Sequence, residues 1–314
     1  MRIAVVGAGA WGTAFARLLV ERGHEVTLVG RDPAQAEAIR ATGRNPRYLP
    51  GVDLSGLHAV TAEGAPEAEL HVVAVPSRAF AGTLASLPGD SPVLSLTKGL
   101  DPASGERLST LAERPFAVLS GPNFAAEIAA GLPAAAVVAS ADGDLAEHLQ
   151  EELSSVVLRV YVNPDLVGVE LCAAAKNVIA LAAGGVDGLG LGDNAKAALV
   201  TRGLAEMARL GTACGANPET FSGLAGLGDL IGTCWHPEGR NRRAGELIAR
   251  GRTPEQASAE IGTVEGLTTA PVLRALAHRL GIELPITEGI CAILDGADLS
   301  ALVAGLMTRR PTEE

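Results

Sequence analysis

Aromatic residues are scarce in this sequence, whose 314 residues include two Trp, two Tyr and five Phe. Most of a core must therefore be built from Ala, Val, Leu and Gly, which pack closely enough for helices to lie against a parallel sheet. Because 47% of the residues are hydrophobic, the composition differs from that of a disordered chain. The length predicts two domains and a sizeable core.

Positive charge is also in short supply, with 25 Lys and Arg against 36 Asp and Glu and a formal net charge of −11. Such an acidic chain repels nucleic acid and anionic lipid surfaces, so we expect neither as a partner. Gly, Pro or charged residues interrupt the longest apolar runs before the roughly 18–20 residues that a membrane span needs. The N-terminus enters a strand pattern without the features of a signal peptide. These features predict a cytoplasmic protein with no membrane insertion.

The cysteines are isolated from one another, and the six histidines form no cluster. We therefore expect no disulfide framework, no CxxC redox motif and no metal site. The cysteines are interpreted as small buried hydrophobic residues of a reducing compartment. They are Cys172, Cys214, Cys234 and Cys291.

Up to about residue 163, short β-type runs alternate with helical stretches. This alternation indicates βαβ units with right-handed crossovers, and hence an α/β fold with a doubly wound, mainly parallel sheet of the Rossmann type. Residues 1–163 are accordingly predicted to form a dinucleotide-binding domain. The predicted strands cover residues 3–6, 25–29, 71–75, 93–96, 116–119, 135–139 and 157–161, and the helices between them include 11–21, 77–87 and 144–152.

After Asn163 and Pro164 the strand pattern stops. Segments rich in Ala and Leu, separated by Gly or Pro, predict an all-α C-terminal domain over residues 164–314. Residues 309–314 are expected to form a frayed tail. The predicted helices cover residues 166–181, 194–210, 242–248, 268–280 and 286–294.

The glycine-rich segment Gly7-Ala8-Gly9-Ala10-Trp11-Gly12 joins the first predicted strand to the first helix. In this pattern the first glycine allows a tight turn, the second lets the backbone approach a pyrophosphate, and the third lets helix and strand pack closely. The helix N-terminus adds N–H groups and a partial positive charge. Since strand, turn and helix agree with the motif, the segment predicts a dinucleotide cofactor, NAD or NADP.

The end of the second predicted strand bears on the choice between these cofactors. NAD-binding proteins commonly carry an acidic residue there, hydrogen-bonded to the adenosine ribose, whereas this chain has Gly30 and Arg31. Gly30 leaves room for the ribose, and Arg31 can face a 2′-phosphate or stack on adenine. We therefore expect NADPH to be accepted at least as well as NADH. Asp32 is better placed as the N-cap of a helix over residues 33–40.

Eight further short segments follow the glycine-rich one along the chain. In this order they resemble bacterial NAD(P)-dependent glycerol-3-phosphate dehydrogenases over essentially the whole sequence. The resemblance implies an oxidoreductase that interconverts dihydroxyacetone phosphate and sn-glycerol 3-phosphate for glycerophospholipid synthesis, with the substrate bound by the C-terminal domain. The nine segments are 7–13 (GAGAWGT), 75–77 (VPS), 97–99 (TKG), 120–125 (SGPNFA), 175–177 (AKN), 201–207 (TRGLAEM), 225–229 (AGLGD), 240–243 (RNRR) and 264–266 (VEG).

Lys176 lies in a predicted helix whose neighbouring residues are apolar. A lysine in that setting either reaches solvent with its ammonium or lies in a cleft with a lowered pKa. The resemblance places the family's catalytic lysine, a general acid/base, at this position. Asn177 beside it either donates to the substrate or caps a turn.

Lys98 follows a predicted strand in the turn Thr97-Lys98-Gly99, so its ammonium should project from the carboxyl edge of the sheet, where ligands bind in open α/β folds. The alternative is a solvated loop lysine. The resemblance makes Lys98 a second cation near substrate and cofactor, in a catalytic or a binding role. From the next strand end, it implies that Gly121 and Asn123 contact the substrate and that Ala125 faces the cofactor.

Asp229 alone would suggest a helix N-cap. The resemblance instead places its carboxylate near the substrate hydroxyls and the catalytic lysine, where it would hold the ammonium, with Thr233 as a hydroxyl contact. Arg240 and Asn241 resemble the family's phosphate clamp, for which a planar guanidinium is suited. The family commonly has Ser before this pair, whereas Gly239 here leaves its backbone N–H as the donor.

The fingerprint and the resemblance together define a candidate site. Lys176, Asp229 and Lys98 are the catalytic candidates. The cofactor contacts are Gly7, Gly9, Ala10, Trp11, Gly12, Arg31, Lys98, Ala125, Arg240 and Glu265, and the substrate contacts are Lys98, Gly121, Asn123, Lys176, Asn177, Asp229, Thr233, Gly239, Arg240 and Asn241.

Two other functions fit part of this pattern. A related two-domain dehydrogenase acting on a 2-oxo or β-hydroxy acid, such as a ketopantoate reductase, shares the Rossmann domain and a lysine on an all-α domain. Such enzymes lack the Arg240-Asn241 pair and the AGLGD segment. A non-catalytic NAD(P) sensor would bind the cofactor without chemistry at Lys176. The oligomeric state stays open, with a homodimer as one option.

Overall fold

The computed structural model describes residues 1–297, so the tail expected at residues 309–314 lies outside the described residues. The chain divides into two compact units. One comprises Met1–Ala173 and Gly215–Asp229, and the other comprises Ala174–Cys214 and the chain from Leu230 onwards. The domain boundary after residue 163 stays a prediction.

The first unit is built on an eight-stranded sheet. The strands are β1 (Arg2–Val6), β2 (Glu25–Gly30), β3 (His58–Thr61), β4 (Leu70–Val73), β5 (Val93–Ser95), β6 (Phe116–Ser120), β7 (Ala134–Ser140) and β8 (Leu158–Asn163). Their order is β3-β2-β1-β4-β5-β6-β7-β8. Neighbouring strands are parallel except β6 and β7. The mainly parallel sheet predicted from the sequence is confirmed.

β3 was not predicted from the sequence, and the strand predicted at residues 71–75 ends two residues later than β4 does. β3 pairs with β2 at one edge of the sheet, and its four residues, His58-Ala59-Val60-Thr61, are few and do not alternate polar with apolar side chains, so they form no clear strand pattern. β4 covers Leu70–Val73, and Pro76, which cannot donate to a strand ladder, follows three residues later.

Helices pack on this sheet through apolar faces. They are α1 (Ala10–Glu21), α2 (Pro33–Thr42), α3 (Ser77–Ala85), α4 (Ala125–Ala129) and α5 (Gly143–Leu153). The core joins strand residues such as Val5 to helix residues such as Phe15, Leu19 and Leu149. The core therefore fixes the carboxyl ends of the strands, from which most of the site residues of this unit project.

Helices dominate the rest of the chain, and the described residues 164–297 contain no strand. They are α6 (Leu166–Gly188), α7 (Gly192–Ala213), α8 (Glu219–Ser222), α9 (Asp229–Trp235), α10 (Arg240–Ala249), α11 (Pro254–Ile261), α12 (Glu265–Leu280) and α13 (Pro285–Leu294). The all-α character predicted for this part of the chain is confirmed for the described residues.

α6 is longer than the predicted helix over residues 166–181, because its glycines are packing positions rather than breaks. A Cβ on Gly184 would overlap the carbonyl oxygen of Arg242 in α10. A Cβ on Gly245 of α10 would in turn overlap the carbonyl oxygen of Leu181. The backbones of the two helices are therefore in direct contact at these positions, where only glycine leaves enough space.

α6 also corrects the expectation about apolar runs. It has the length and composition of a membrane span, with a mean hydropathy of 1.7. The interruptions noted in the sequence, among them Gly168, Glu170 and Lys176, are too few to lower the mean hydropathy below that of a membrane span. However, 83% of the most apolar window is buried within the protein, as in the core helix of a globular domain.

The interpretation of the cysteines as buried residues is correct for three of them and wrong for Cys214. Cys172, Cys234 and Cys291 are buried, and burial raises the pKa of the Cys291 thiol to about 11. Cys214 is only partly buried, because it lies at the C-terminal cap of α7.

Candidate active site

The glycine-rich turn connects β1 to α1 as the sequence predicted. Gly7 has a φ of +121°, and a Cβ there would collide with the carbonyl oxygen of Ala74. A Cβ on Gly12 would collide with the carbonyl oxygen of Gly7, so this glycine lets α1 pack against the turn. A Cβ on Gly9 would meet nothing within 4 Å. The open space beside Gly9, at a helix N-terminus, fits the pyrophosphate of a dinucleotide.

The flanks of this turn carry the other cofactor candidates of the N-terminal half. Ala10 begins α1, and Trp11 is half-buried against Phe15, with 5.5 Å between ring centroids. Arg31 is exposed at the end of β2. Asp32 accepts the backbone N–H of Ala34 at 3.0 Å, which confirms its role as the N-cap of α2.

Lys98 and Asp229 are brought together in the first unit. The Lys98 ammonium lies 2.6 Å from Oδ2 of Asp229 and donates to the carbonyl oxygen of Gly121 at 3.1 Å. Asp229 is 2% exposed, and the Lys98 side chain is 18% exposed. Burying a carboxylate this deeply is costly unless a partner compensates for the lost water, and the Lys98 ammonium is such a partner. The alternative of a solvated loop lysine is therefore wrong.

The segment after β6 provides backbone and amide groups next to this pair. Gly121 has a φ of +141°, and a Cβ there would lie 3.0 Å from the carbonyl oxygen of Ala135. Nδ2 of Asn123 donates to the same carbonyl at 3.1 Å, while its Oδ1 is buried without a hydrogen-bond partner among the described residues. Ala125 begins α4.

Lys176 lies inside α6 in the second unit and is 4% exposed. Its ammonium donates to Oγ1 of Thr233 on α9 at 2.8 Å. The alternative in which this lysine reaches solvent is therefore wrong. α9 continues beyond Asp229, and Thr233 lies one turn after that residue on the same helix.

Asn177 and Asn241 form a second pair in this unit. Nδ2 of Asn241 donates to Oδ1 of Asn177 at 2.8 Å, and Oδ1 of Asn241 accepts the backbone N–H of Gly266 at 2.8 Å. The alternative of Asn177 as a turn cap is wrong, because the residue lies in the middle of α6. The pair ties α6, α10 and the start of α12 together.

Three candidates lie at the starts of α10 and α12. Arg240 is the first residue of α10 and is exposed, and Glu265 is the first residue of α12 and is half-buried. Gly239 precedes Arg240 as the N-cap. Its backbone N–H, expected as a phosphate donor, already donates to the carbonyl oxygen of His236 at 3.0 Å. It would have to leave this bond to reach a phosphate.

Sequence reasoning missed a buried carboxylate that holds the chain after Lys98. Glu170 on α6 accepts the backbone N–H and the hydroxyl of Ser109 and the guanidinium of Arg107, at 2.6–2.8 Å. Burial raises the pKa of this carboxyl, although these contacts oppose the rise. The signal was present, since Glu170, like Lys176, is a charged residue in an apolar helix. Gln35 and Asn45, whose side chains are also buried, were missed without any such signal.

The two halves of the chain match the two parts of one enzyme family. Residues 2–146 match NAD-dependent glycerol-3-phosphate dehydrogenase N-terminus, and residues 165–303 match the C-terminus of the same family. A glycerol-3-phosphate dehydrogenase (NAD(P)+) of Moorella thermoacetica is 47% identical over 325 residues, which cover 99% of this chain and 97% of that protein. The protein of the same name from Thermus thermophilus is 48% identical over 326 residues, with both chains covered in full.

A solved structure gives the same result. The crystal structure of glycerol-3-phosphate dehydrogenase from Coxiella burnetii superposes with a TM-score of 0.93 at 38% sequence identity, covering 98% of this chain and 99% of that one. Both family segments, the full-length relatives and this superposition agree, and the chain therefore belongs to the NAD-dependent glycerol-3-phosphate dehydrogenase family.

Proposed function

We propose that this protein catalyses the reversible reduction of dihydroxyacetone phosphate to sn-glycerol 3-phosphate with NAD(P)H, and so supplies glycerol 3-phosphate for glycerophospholipid synthesis. The observation that carries the proposal is the burial of Lys176 in α6, where its ammonium donates to Thr233. Burial of an ammonium is costly, and proton transfer to a substrate oxygen is a function that accounts for it. Relatives named for this activity match the chain over its whole length.

In this proposal Lys176 is the general acid. When bound, the reduced nicotinamide supplies a hydride to the carbonyl carbon of the substrate. The Lys176 ammonium donates its proton to the carbonyl oxygen as negative charge develops there, and the neutral amine accepts the proton back in the reverse direction. Thr233 accepts from Nζ at 2.8 Å and so keeps the ammonium in one position.

Lys98 and Asp229 are proposed to bind the polar groups of the substrate next to the carbonyl. Their charges are oriented by their mutual contact and by Gly121 before any substrate arrives. Charges that need no reorientation stabilise a transition state most effectively. Asn123 presents a buried acceptor oxygen that suits a substrate hydroxyl. Asn177, held by Asn241, is proposed as a further polar contact.

Arg240 is proposed as the residue that binds the substrate phosphate, together with Asn241. An exposed guanidinium at the start of α10 is accessible to a dianion, and its fork of N–H groups suits two phosphate oxygens. Gly239 provides no hydroxyl at this position, so the guanidinium carries more of the phosphate interaction than it would beside a serine.

The cofactor contacts are proposed from the turn and its flanks. Gly7, Gly9, Ala10, Trp11 and Gly12 would hold the pyrophosphate, since the space beside Gly9 is open. The exposed Arg31 would face the adenosine, and we propose on this basis that NADPH is accepted at least as well as NADH. Further contacts are proposed for Lys98, Ala125, Arg240 and Glu265.

The function is tested by the loss of reduced-nicotinamide absorbance when dihydroxyacetone phosphate is added to the purified protein. Parallel reactions with ketopantoate and with a β-keto acid test the alternative dehydrogenases. Rapid oxidation with the triose phosphate alone supports the proposal. Oxidation only with an oxo acid, or binding of NADPH without turnover of any substrate, would contradict it and favour the related dehydrogenase or the sensor.

We also propose that residues 1–163 bind the cofactor, that residues 164–314 bind the substrate and carry the catalytic lysine, and that the enzyme acts in the cytoplasm. Gel filtration with light scattering would decide between a monomer and a homodimer.

A further inference from the structure

Two side-chain amides outside the glycine-rich motif hold its backbone. Ala8 lies between Gly7 and Gly9, and its carbonyl oxygen accepts Nε2 of Gln35 at 2.9 Å and Nδ2 of Asn45 at 3.2 Å. Nδ2 of Asn45 also donates to the hydroxyl of Thr13 on α1 at 2.9 Å. The carbonyl of the turn and the first helix are thus held by the same side chain.

Every polar atom of the Asn45 side chain is used. Oδ1 accepts Nε2 of Gln35 at 2.9 Å, the backbone N–H of Tyr48 at 3.1 Å and that of Arg47 at 3.3 Å. Rotating the amide by half a turn would set its NH2 group against these donors, so one orientation is fixed. Asn45 is 0% exposed. A buried polar network satisfied in this way is rigid and specifies one arrangement of the backbone around it.

The orientation of the Ala8 carbonyl determines that of the next N–H group. The carbonyl of Ala8 and the N–H of Gly9 belong to one planar trans peptide, in which the two bonds point in opposite directions. Gln35 and Asn45 draw the carbonyl into the protein. The Gly9 N–H must then point away from the protein interior. Gly9 is also the residue beside which a Cβ would meet only open space.

We propose that Gln35 and Asn45 are positioning residues for the dinucleotide: by holding the Ala8 carbonyl they aim the Gly9 N–H at the pyrophosphate. The inference rests on the proposed function for the identity of the ligand. Neither side chain needs to touch the cofactor. Since the pyrophosphate is common to NADH and NADPH, loss of either amide should weaken the binding of both cofactors by the same factor. It should leave kcat at saturating cofactor nearly unchanged.

The main test is Gln35→Glu, which keeps the shape of the side chain but removes both N–H donors. The dissociation constants of NADH and NADPH are measured by calorimetry on the full-length protein without substrate, together with the melting temperature. We expect both constants to rise about tenfold, equivalent to about 1.4 kcal/mol. The dissociation constant of ADP-ribose, which retains the pyrophosphate, should rise by the same factor. That of AMP, which has a single phosphate, should stay unchanged.

Gln150→Glu is the matched control. Gln150 lies on α5, and its Nε2 donates to the carbonyl oxygen of Val160 at 2.9 Å in β8, at the opposite edge of the sheet from β2 and β3. The same substitution there should lower the melting temperature and leave both dissociation constants within about twofold of the parent. A second variant, Thr13→Val, removes the hydroxyl that Asn45 contacts and tests the network if Gln35→Glu fails to fold.

Two results would overturn the inference. In the first, the folded variants bind both cofactors within about twofold of the parent although their stability falls, which would make the network purely structural. In the second, only the binding of NADPH weakens. This would place the effect at the adenosine, because Gln35 also lies near Gly30, which is expected to face the adenosine ribose. Because binding is measured without substrate, failure to reduce dihydroxyacetone phosphate would count against the proposed function and leave this test intact.

Discussion

Lys98 and Asp229 are 131 residues apart in sequence, yet 2.6 Å separates their charged atoms. Lys98 lies in the turn after β5, and Asp229 is the first residue of α9. A π-helical segment, Leu224–Gly228, precedes Asp229. Such segments are rare and often occur at functional sites, where they redirect a side chain. The ion pair is therefore the product of an irregular backbone and a strand end.

We expect Lys98→Met and Asp229→Asn to be strongly coupled in stability. Each single substitution removes one charge of the pair and with it the contact between them, which costs up to about 3–5 kcal/mol for a fully buried pair and less here because Lys98 is partly exposed. The double variant should recover a coupling free energy of about 0.5–3 kcal/mol. Urea unfolding of the four proteins measures it, and additive losses would show that the contact contributes nothing.

Lys176→Ala should lower kcat by about two to four orders of magnitude, as expected for loss of a general acid, while leaving folding and cofactor binding nearly intact. The control is Lys196→Ala. Lys196 is also buried in the second unit, where its ammonium lies 2.7 Å from Asp187, but we propose no chemistry for it. The control should lose stability and keep most of its turnover. A Lys176→Ala protein with more than about a tenth of the parental kcat would not be compatible with the assignment.

The sequence predicted those features that have a local signature. Lys176 stood out because a charged residue interrupts an apolar helix, and Asp32 because N-caps favour aspartate before proline. The contact between Lys98 and Asp229 had no such signature, since nothing local links residues so far apart. Asn45 was missed for a related reason: in a polar loop, one buried amide looks like any solvated residue.

Glycine was the least predictable residue type. Gly7 and Gly12 were correctly interpreted because the motif assigns each a steric task. Gly184 was interpreted as part of a helix break, and Gly245 was placed inside the predicted helix over residues 242–248 without a packing role, although both allow α6 and α10 to approach closely. The difference depends on what lies opposite each residue, which tertiary packing alone decides.

Arg31→Glu should weaken NADPH more than NADH, because it places negative charge where the 2′-phosphate is proposed to lie and leaves the glycine-rich turn unchanged. Arg252→Glu is the control, because it makes the same change in net charge at an exposed position in the second unit. It should weaken the binding of neither cofactor. Dissociation constants for both cofactors are compared at one salt concentration, since long-range effects of charge are screened. Equal losses for the two cofactors would show that Arg31 does not recognise the 2′-phosphate.

Glu206 should make stability depend on pH. It lies in α7 and accepts the backbone N–H groups of Ile286 and Thr287, at 2.7 and 2.9 Å, at the start of α13. Burial raises the pKa of this carboxyl above its ordinary 4.5, although hydrogen bonds from Thr287 and Ile286 oppose the rise. The folded protein therefore holds the proton more tightly than the unfolded chain. The stabilising contribution is complete below about pH 4.5 and is lost as pH rises through the folded pKa.

Residue 206 cannot ionise in the Glu206→Gln variant, so the free energy of unfolding of this variant should not show the loss with rising pH. The free energy of unfolding of the parent minus that of the variant should fall as pH rises from about 4 to about 7, by about 1.4 kcal/mol for each unit by which the pKa is raised. Denaturant unfolding at a series of pH values measures this difference. A difference that is constant over the range, or that grows with pH, would contradict the predicted direction.

Arg240→Ala should act mainly on the phosphate of the substrate. If substrate binding removes the exposed guanidinium from water, loss of a charge-assisted bidentate contact costs about 2–4 kcal/mol in kcat/KM. If it stays solvated, the cost is a few tenths of a kcal/mol. We expect the larger value. Arg243→Ala, on the same helix and 3.3 Å from Glu238, is the matched control and should change kcat/KM little.

Comparing phosphorylated with unphosphorylated substrate isolates the contribution of Arg240. The parent should strongly prefer dihydroxyacetone phosphate to dihydroxyacetone, and Arg240→Ala should lose most of that preference while its slow rate with dihydroxyacetone stays near the parental one. kcat should fall along with the rise in KM, because binding energy from a remote phosphate also orients the carbonyl for reduction. If the variant kept the full discrimination, another group would bind the phosphate, and Lys98 would be the first to substitute, since its ammonium is the cation beside Asp229 and Gly121.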